Sequence, residues 1–195
     1  MIYKNFFKPV LDFLIAFLCL LILSPLFLII FTIFKVESNG PLFFLQKRLG
    51  KQGKVFYLYK FRTMIDRPRK VKNEIYKNDK EVTKIGYFLR RFKIDELPQI
   101  LNILKGDMSI VGPRPCMVEQ MKDFNEDGEK RILVKPGLTG LAQINGNIYL
   151  SWKERWKYDR AYVENLNFLL DLSIVIKTVL IVLMGEDKFI KKPNA

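Results

Sequence analysis

The adjacent acids Asp95 and Glu96, here called the acidic pair, are the residues of this sequence best suited to chemistry. Neighbouring residues on a helix point about 100° apart, so the two carboxylates are not expected to share one proton as in an aspartic protease. They suit two separate tasks: one carboxylate can attack phosphorus, while the other holds a hard divalent cation such as Mg²⁺. The alternative is that both acids only favour the dipole at a helix N-terminus.

Positive charge is concentrated around the acidic pair. Residues 60–93 contain twelve Lys and Arg against four Asp and Glu, a net charge of 12 − 4 = +8. Most of these cations suit a solvated face that is attracted to anionic lipid headgroups. Lys60 and Arg62 differ, because alternation along a strand places them on one side. Arg90 and Arg114 lie where a guanidinium can be held rigidly against a phosphate, which makes these four side chains candidate phosphate ligands.

The composition excludes several kinds of site. The 195 residues include no histidine, which rules out a His general base, a Ser-His-Asp or Cys-His nucleophile and a His-ligated metal. Cys19 and Cys116 lie in unlike surroundings, so no disulfide framework is expected and a reducing, cytoplasmic setting fits. The net charge of +13 calls for a polyanionic partner: nucleic acid, an anionic lipid surface or a phosphorylated substrate.

An apolar N-terminal segment is the first element that must position these groups. Residues 13–34 form an uncharged run of 22 residues, about 33 Å as a straight helix and therefore of membrane length. Pro25 removes a backbone hydrogen bond and frees the carbonyl of Leu21, so a break is predicted at Ser24-Pro25. Basic residues flank both ends, so the positive-inside rule favours neither orientation of a spanning helix. A re-entrant helix that returns to the cytoplasmic face places both basic flanks on that face. A kinked spanning helix and a signal peptide are the alternatives.

The rest of the chain is predicted to fold as one domain. The expected class is α+β and mainly helical, with a membrane helix at residues 1–35 and a cytoplasmic catalytic domain at residues 36–195. Residues 42–59 predict a small β-hairpin and residues 135–147 a loop. Residues 166–184 predict an amphipathic helix that either lies in the membrane interface or packs on the domain. Further helices are predicted near residues 74–92, 95–104, 115–124 and 151–165.

A series of short blocks runs in order across almost the whole chain. The blocks are Ser24-Pro25, Gln46-x-Arg48-x-Gly50, Tyr59-Lys60-Phe61-Arg62-Thr63-Met64, Asp95-Glu96-Leu97-Pro98-Gln99, Asn102-x-x-x-Gly106-Asp107-Met108-Ser109, Gly112-Pro113-Arg114-Pro115, the glycine-rich residues 135–146 and Tyr158-Asp159. In this order they resemble the bacterial sugar transferase family, and within it the monotopic phosphoglycosyl transferases. The joint occurrence is specific, although several single blocks would not be.

The resemblance implies a membrane enzyme of glycoconjugate and polysaccharide biosynthesis. Such enzymes transfer a phospho-sugar from a UDP-sugar to polyprenol (undecaprenyl) phosphate and release UMP. By its place in the motif, Asp95 would attack the β-phosphorus and form a covalent aspartyl-phosphosugar. Glu96 would bind Mg²⁺, while Lys60, Arg90 and Arg114 would contact phosphates. The expected location is monotopic, on the cytoplasmic face of the cytoplasmic membrane. The expected partners are an anionic lipid bilayer and downstream glycosyltransferases, without nucleic acid.

Three positions depart from the family pattern and leave the sugar open. Asn147 stands where an Arg often follows the Asn-Gly pair, Cys116 stands where an aliphatic residue is common, and Arg160-Ala161 interrupts the usual sequence after Tyr158-Asp159. Two other hypotheses also remain. One is a non-enzymatic basic protein that binds anionic lipid or nucleic acid at a membrane surface. The other is a sequential mechanism in which Asp95 acts as a base.

Overall fold

The computed structural model describes residues 2–37, 40–65 and 81–185 of the chain. Half of the cations counted in residues 60–93 therefore lie outside the described residues, as does the first part of the helix predicted near residues 74–92. The chain begins with a π-helical turn, Tyr3–Phe7, that continues into the long helix α1, Lys8–Glu37.

The predicted mainly helical α+β class is confirmed. The other regular elements are β1 Phe43–Leu49, β2 Val55–Phe61, α2 Lys84–Arg91, α3 Gln99–Leu104, β3 Ser109–Val111, α4 Glu126–Arg131, β4 Gly137–Thr139, α5 Leu141–Asn145, α6 Trp152–Glu164 and α7 Phe168–Met184. Within the described ranges, four short 3₁₀ turns connect them: Lys51–Gly53, Ile94–Glu96, Val118–Asp123 and Asn147–Tyr149. The segment predicted as a helix near residues 115–124 is one of these turns.

The strands in the described part of the chain form two separate pairs. β1 and β2 make the predicted antiparallel hairpin, with Phe43 opposite Phe61 and Leu49 opposite Val55. β3 and β4 make a short parallel pair, which corrects the prediction that residues 135–147 are only a loop. Its hydrogen bonds join segments distant in sequence, so local turn signals could not indicate it. Close backbone approach explains one glycine there, because a Cβ at Gly137 would collide with the backbone nitrogen of Gly112.

The long helix α1 contacts the rest of the protein near both of its ends. Ala16, in its first half, packs in a buried cluster with Phe56, Leu58, Ile100, Ile103 and Met108. Ile30 and Phe34, in its second half, pack in another cluster with Phe61 and Leu89. The opposite face is exposed and apolar along the whole helix. One helical segment in the described residues, Tyr3–Glu37, is long and apolar enough to cross a membrane, and an 18-residue window within it has a mean hydropathy of 3.0.

The predicted break at Ser24-Pro25 does not end the helix. α1 continues through Pro25 as a single helical element. The Ser24 hydroxyl donates to the Leu21 carbonyl at 2.7 Å, which is the carbonyl that loses its partner when proline stands four residues later. The Ser24 hydroxyl thus satisfies this carbonyl locally, and the chain stays helical through Pro25.

A buried polar network fastens the start of α1 to α7. Asp171 Oδ2 accepts hydrogen bonds from Lys8 Nζ and from the Tyr3 hydroxyl, both at 2.7 Å. Asp171 Oδ1 accepts one from the Tyr162 hydroxyl at 2.8 Å. The side chains of Lys8 and Asp171 are only 10% and 8% exposed. Removing one partner of a buried ion pair is strongly destabilising. This network therefore holds the N-terminal end of α1 against α7.

Lys8→Met is therefore expected to lower the free energy of unfolding by about 3–5 kcal/mol, because it leaves the Asp171 carboxylate buried without a cation. Thermal unfolding of the full chain in detergent measures this loss. Lys4→Met removes the same charge one turn earlier, where no ion pair occurs among the described residues, and serves as the control. Equal melting temperatures for the two variants would contradict a structural role of the Lys8–Asp171 pair.

Candidate active site

The acidic pair lies in the 3₁₀ turn Ile94–Glu96, between α2 and α3. The sequence predicted one helix over residues 95–104, but α3 begins only at Gln99, after Pro98. Lys93, with φ of +55°, adopts a left-handed conformation and separates the turn from α2. The tight turn gives the two neighbouring carboxylates different surroundings.

Glu96 forms the centre of a charged cluster. Its Oε1 accepts hydrogen bonds from Lys60 Nζ and from an Arg114 guanidinium nitrogen, both at 2.7 Å. Burial alone would raise the pKa of Glu96, but the two cations and their hydrogen bonds outweigh it and hold this pKa at about 2. Glu96 also raises the pKa of Arg114 against the opposing effect of burial. The Glu96 side chain therefore stays anionic throughout the physiological pH range.

Asp95 has a different environment from its neighbour. It is partly buried and forms no ion pair with any described residue. Burial raises the pKa of Asp95, and the negative charge of Glu96 raises it further. The positive charges of Lys60 and Arg90 act in the opposite direction, but the pKa remains above its usual value. A carboxylate of raised pKa is more basic than usual, and it is not already neutralised by a direct cation contact. Of the two acids, Asp95 is thus the better suited to act as a nucleophile.

The other predicted phosphate ligands fall into two groups. Arg90, on α2, donates from Nε to the Thr63 hydroxyl at 2.8 Å and acts electrostatically on Asp95. Arg62, just after β2, is buried and places its guanidinium 5.8 Å from the ring centre of Phe34. Lys60 therefore contacts Glu96, whereas Arg62 lies over the Phe34 ring. The role of Arg62 in phosphate binding stays a prediction.

The acidic pair fits a magnesium ion that is shared with substrate. Both cations bind Glu96 at Oε1, and Oε2 makes no hydrogen bond within the described residues. The described part of the chain holds no cluster of three or more candidate metal ligands. Mg²⁺ usually binds through one or two carboxylates and completes its coordination with water and substrate phosphates. The residues present meet that requirement.

One positioning residue was not predicted from the sequence. Asn102, on α3, is fully buried; its amide donates to the Tyr57 carbonyl at 2.8 Å and accepts from the Tyr59 N–H at 3.0 Å. These bonds attach β2, which carries Lys60, to the helix that follows the acidic pair. Asn102 stands in one of the sequence blocks, but a single buried Asn gives no signal of what it binds.

An apolar groove lies between the second half of α1 and α2. It has a volume of about 400 Å³, and its residues include Ile30, Phe88 and Ile94. Ile94 directly precedes Asp95, so one wall of the groove belongs to the same turn as the acidic pair. Lys84 also lines the groove. The acidic pair is thus adjacent both to fixed cations and to an apolar surface.

Comparison with known proteins gives matches along most of the chain. A sequence profile described as "Bacterial sugar transferase" matches residues 3–185. The "Uncharacterized sugar transferase EpsL" of Bacillus subtilis is 42% identical over 179 residues, which cover 92% of this chain and 88% of that protein.

Two larger relatives carry more specific names. The "UDP-glucose:undecaprenyl-phosphate glucose-1-phosphate transferase" of Klebsiella pneumoniae is 42% identical over 89% of this chain and 39% of its own length. The "Undecaprenyl-phosphate galactose phosphotransferase" of Salmonella typhimurium is 35% identical over 95% of this chain and 42% of its own length. The match thus extends from the apolar helix through the acidic pair to α7, and the chain belongs to the bacterial sugar transferase family.

Proposed function

We propose that the protein transfers a sugar 1-phosphate from a UDP-sugar to undecaprenyl phosphate, through a covalent intermediate on Asp95. The observation that carries the proposal is the unlike state of the two acids. Glu96 is neutralised by Lys60 and Arg114, whereas Asp95 has a raised pKa and no ion pair among the described residues. The names of two relatives supply the donor and acceptor classes.

The proposed reaction has two displacements at phosphorus. An Asp95 carboxylate oxygen attacks the β-phosphorus of the donor; the new O–P bond forms as the bond to UMP breaks, and UMP leaves with the electron pair. A phosphate oxygen of polyprenol phosphate then attacks the same phosphorus and releases Asp95. Lys60, Arg90 and Arg114 stabilise the negative charge on the phosphate oxygens in both steps. Mg²⁺, held by Glu96, would add positive charge at the diphosphate when bound.

The placement of α1 supports a monotopic arrangement. Lys8 and Phe34, near opposite ends of the helix, are both buried against the same domain. A straight helix places these residues about 39 Å apart, more than the hydrocarbon thickness of a bilayer. If α1 crossed the membrane, one of its ends would lie on the side opposite to the domain. We therefore infer that both ends stay on the cytoplasmic side, with the exposed apolar face in the lipid.

The apolar groove is the proposed site for the isoprenoid chain of the acceptor. Its walls come from α1, which carries the apolar surface, and from the residue that precedes Asp95. Lys84 at the groove and Arg90 on the same helix provide positive charge for the acceptor phosphate. An amphipathic lipid placed here would lie with its chain towards the bilayer and its phosphate towards the acidic pair.

The topology can be tested by cysteine labelling in a background with Cys19 and Cys116 replaced by Ala. We expect Ile2→Cys, at the exposed start of the chain, to react with an impermeant maleimide only after the membrane is opened. Lys51→Cys, at the exposed hairpin turn, is the cytoplasmic reference. Labelling of Ile2→Cys in intact cells, with Lys51→Cys protected, would show that α1 spans the membrane.

The overall reaction is tested by UMP release. Purified protein with Mg²⁺ and undecaprenyl phosphate is expected to release UMP from at least one member of a panel of UDP-sugars, and to form a lipid-linked sugar diphosphate in equal amount. The panel identifies the sugar. Binding to anionic vesicles without UMP release from any donor would instead favour the non-enzymatic hypothesis.

A further inference from the structure

A second cavity adjoins the acidic pair through Arg114. This cavity, here called the arginine cavity, has a volume of about 210 Å³. Arg114 lines it and also binds Glu96, so the cavity and the acidic pair share one side chain. Its lining also includes residues from β1, α4, α5 and α6, namely Arg48, Arg131, Gln143, Trp152, Arg155 and Asp159.

The arginine cavity contains more positive than negative charge. Four arginines line it, whereas Asp159 is its acidic lining residue and pairs with Arg131 at 3.1 Å. Burial, together with the charge of Arg114, lowers the pKa of Arg48. Burial and the charges of Arg114 and Arg131 lower the pKa of Arg155 as well. The guanidinium groups therefore repel one another, and hydrogen-bond acceptors of a bound ligand would offset this repulsion.

Three buried polar atoms of the lining have no hydrogen-bond partner among the described residues. They are Arg48 Nε and Arg131 Nη1, which are donors, and Gln143 Oε1, which is an acceptor. Gln143 donates from Nε2 to the Leu138 carbonyl at 3.1 Å, and this bond identifies Oε1 as the free end of the amide. Folded proteins pair nearly all such atoms, so three in one cavity indicate a polar ligand.

We propose that the arginine cavity binds the nucleoside end of the donor and recognises a uracil base; this inference rests on the proposed function. Uracil offers two carbonyl acceptors and one N–H donor, which complement two free donors and one free acceptor. Cytosine has no hydrogen on the equivalent ring nitrogen and carries an amino group in place of one carbonyl, so it cannot present the same acceptor–donor–acceptor edge to the two free donors and Gln143. Arg114 then holds the diphosphate between the cavity and the acidic pair.

The size and the remaining lining fit this assignment. The cavity volume of about 210 Å³ is below the roughly 300–1,000 Å³ of sites that enclose a whole drug-sized ligand. It therefore suits part of a nucleotide sugar, with the sugar phosphate outside it at the acidic pair. The Arg155 guanidinium lies 4.6 Å from the ring centre of Trp152, and the two planar groups offer a surface on which a base can stack.

The test compares the binding of UDP and CDP to the purified full chain with Mg²⁺ by isothermal titration calorimetry. The wild-type protein is expected to bind UDP about tenfold more tightly than CDP, the value of one well-placed hydrogen bond. Gln143→Leu is expected to bring this ratio close to one. Because both ligands are measured on the same variant, a general loss of folded protein does not change the ratio.

A second variant tests the stacking surface independently. Arg155→Gln is expected to weaken UDP binding about tenfold, since it removes the guanidinium that lies over the Trp152 ring. Arg160→Gln removes the same charge from the same helix, where it pairs with Asp127 and Glu164, and should leave UDP binding unchanged.

The outcomes separate this inference from the function itself. If the wild-type protein releases UMP but Gln143→Leu keeps the wild-type preference for UDP, the assignment of the cavity is wrong and the proposed reaction stands. Equal effects of Arg155→Gln and Arg160→Gln overturn the assignment in the same way. If the wild-type protein neither binds UDP nor releases UMP, both proposals fail.

Discussion

Asp95→Asn is expected to lower the rate of UMP release from a UDP-sugar by at least about 1,000-fold, because an amide cannot replace a carboxylate as the nucleophile. The substitution preserves the size of the side chain, and Asp95 forms no ion pair among the described residues, so the loss should not come from unfolding. Initial rates with saturating Mg²⁺ and acceptor measure the effect.

The control for this variant is Asp127→Asn. Asp127 is a partly buried carboxylate on α4 that pairs with Arg160 on α6. Its rate should stay close to that of the wild-type protein, and the melting temperatures of both variants should remain near the wild-type value. An Asp95→Asn protein that retains more than about a tenth of the wild-type rate would argue against a nucleophilic Asp95.

Glu96→Gln is expected to lower the rate by about 100-fold and to raise the Mg²⁺ concentration needed for half of the remaining activity. The substitution removes the charge that Lys60 and Arg114 share, and it removes the proposed metal ligand. Because the pKa of Glu96 is about 2, the wild-type residue is ionised at every pH used in the assay. Titration of Mg²⁺ at fixed donor and acceptor concentrations measures the change.

Glu129→Gln provides the matched control, since Glu129 is an exposed acid on α4. Its Mg²⁺ response should equal that of the wild-type protein. If Glu96→Gln lost activity but kept the wild-type Mg²⁺ response, Glu96 would act by orienting Lys60 and Arg114 instead of by binding the metal.

Elements with local signals could be predicted from the sequence. The hairpin follows from two β-rich runs around a glycine turn, and α6 lies where a helix was predicted near residues 151–165. The pair β3 and β4 could not be predicted in this way, because each strand has three residues and its partner lies almost thirty residues away. The same limit applies to α1: hydropathy reports that the helix is apolar but not that both of its ends contact one domain.

The candidate site was predictable to different degrees. The acidic pair, Lys60 and Arg114 were predicted from their motifs, and the structure places Lys60 and Arg114 on one oxygen of Glu96. Strand alternation predicted that Arg62 lies on the same side as Lys60. The strand ends at Phe61, however, and the Arg62 side chain turns towards Phe34.

No motif or spacing in the sequence indicated the arginine cavity. Arg48 and Gln143 are almost one hundred residues apart, and Arg131 and Arg155 each stand on a helix where a basic residue is ordinary. Only the fold shows that their unpaired atoms line one space.

The central claim is that Asp95 takes the sugar-bearing phosphate onto itself. The most direct test is the intact mass of the purified protein after incubation with a UDP-sugar and Mg²⁺ in the absence of polyprenol phosphate. We expect a mass increase equal to one sugar phosphate, mapped to Asp95, absent from Asp95→Asn and removed when polyprenol phosphate is added. An unmodified mass under conditions in which the same protein, given acceptor, turns over at its full rate would contradict the claim.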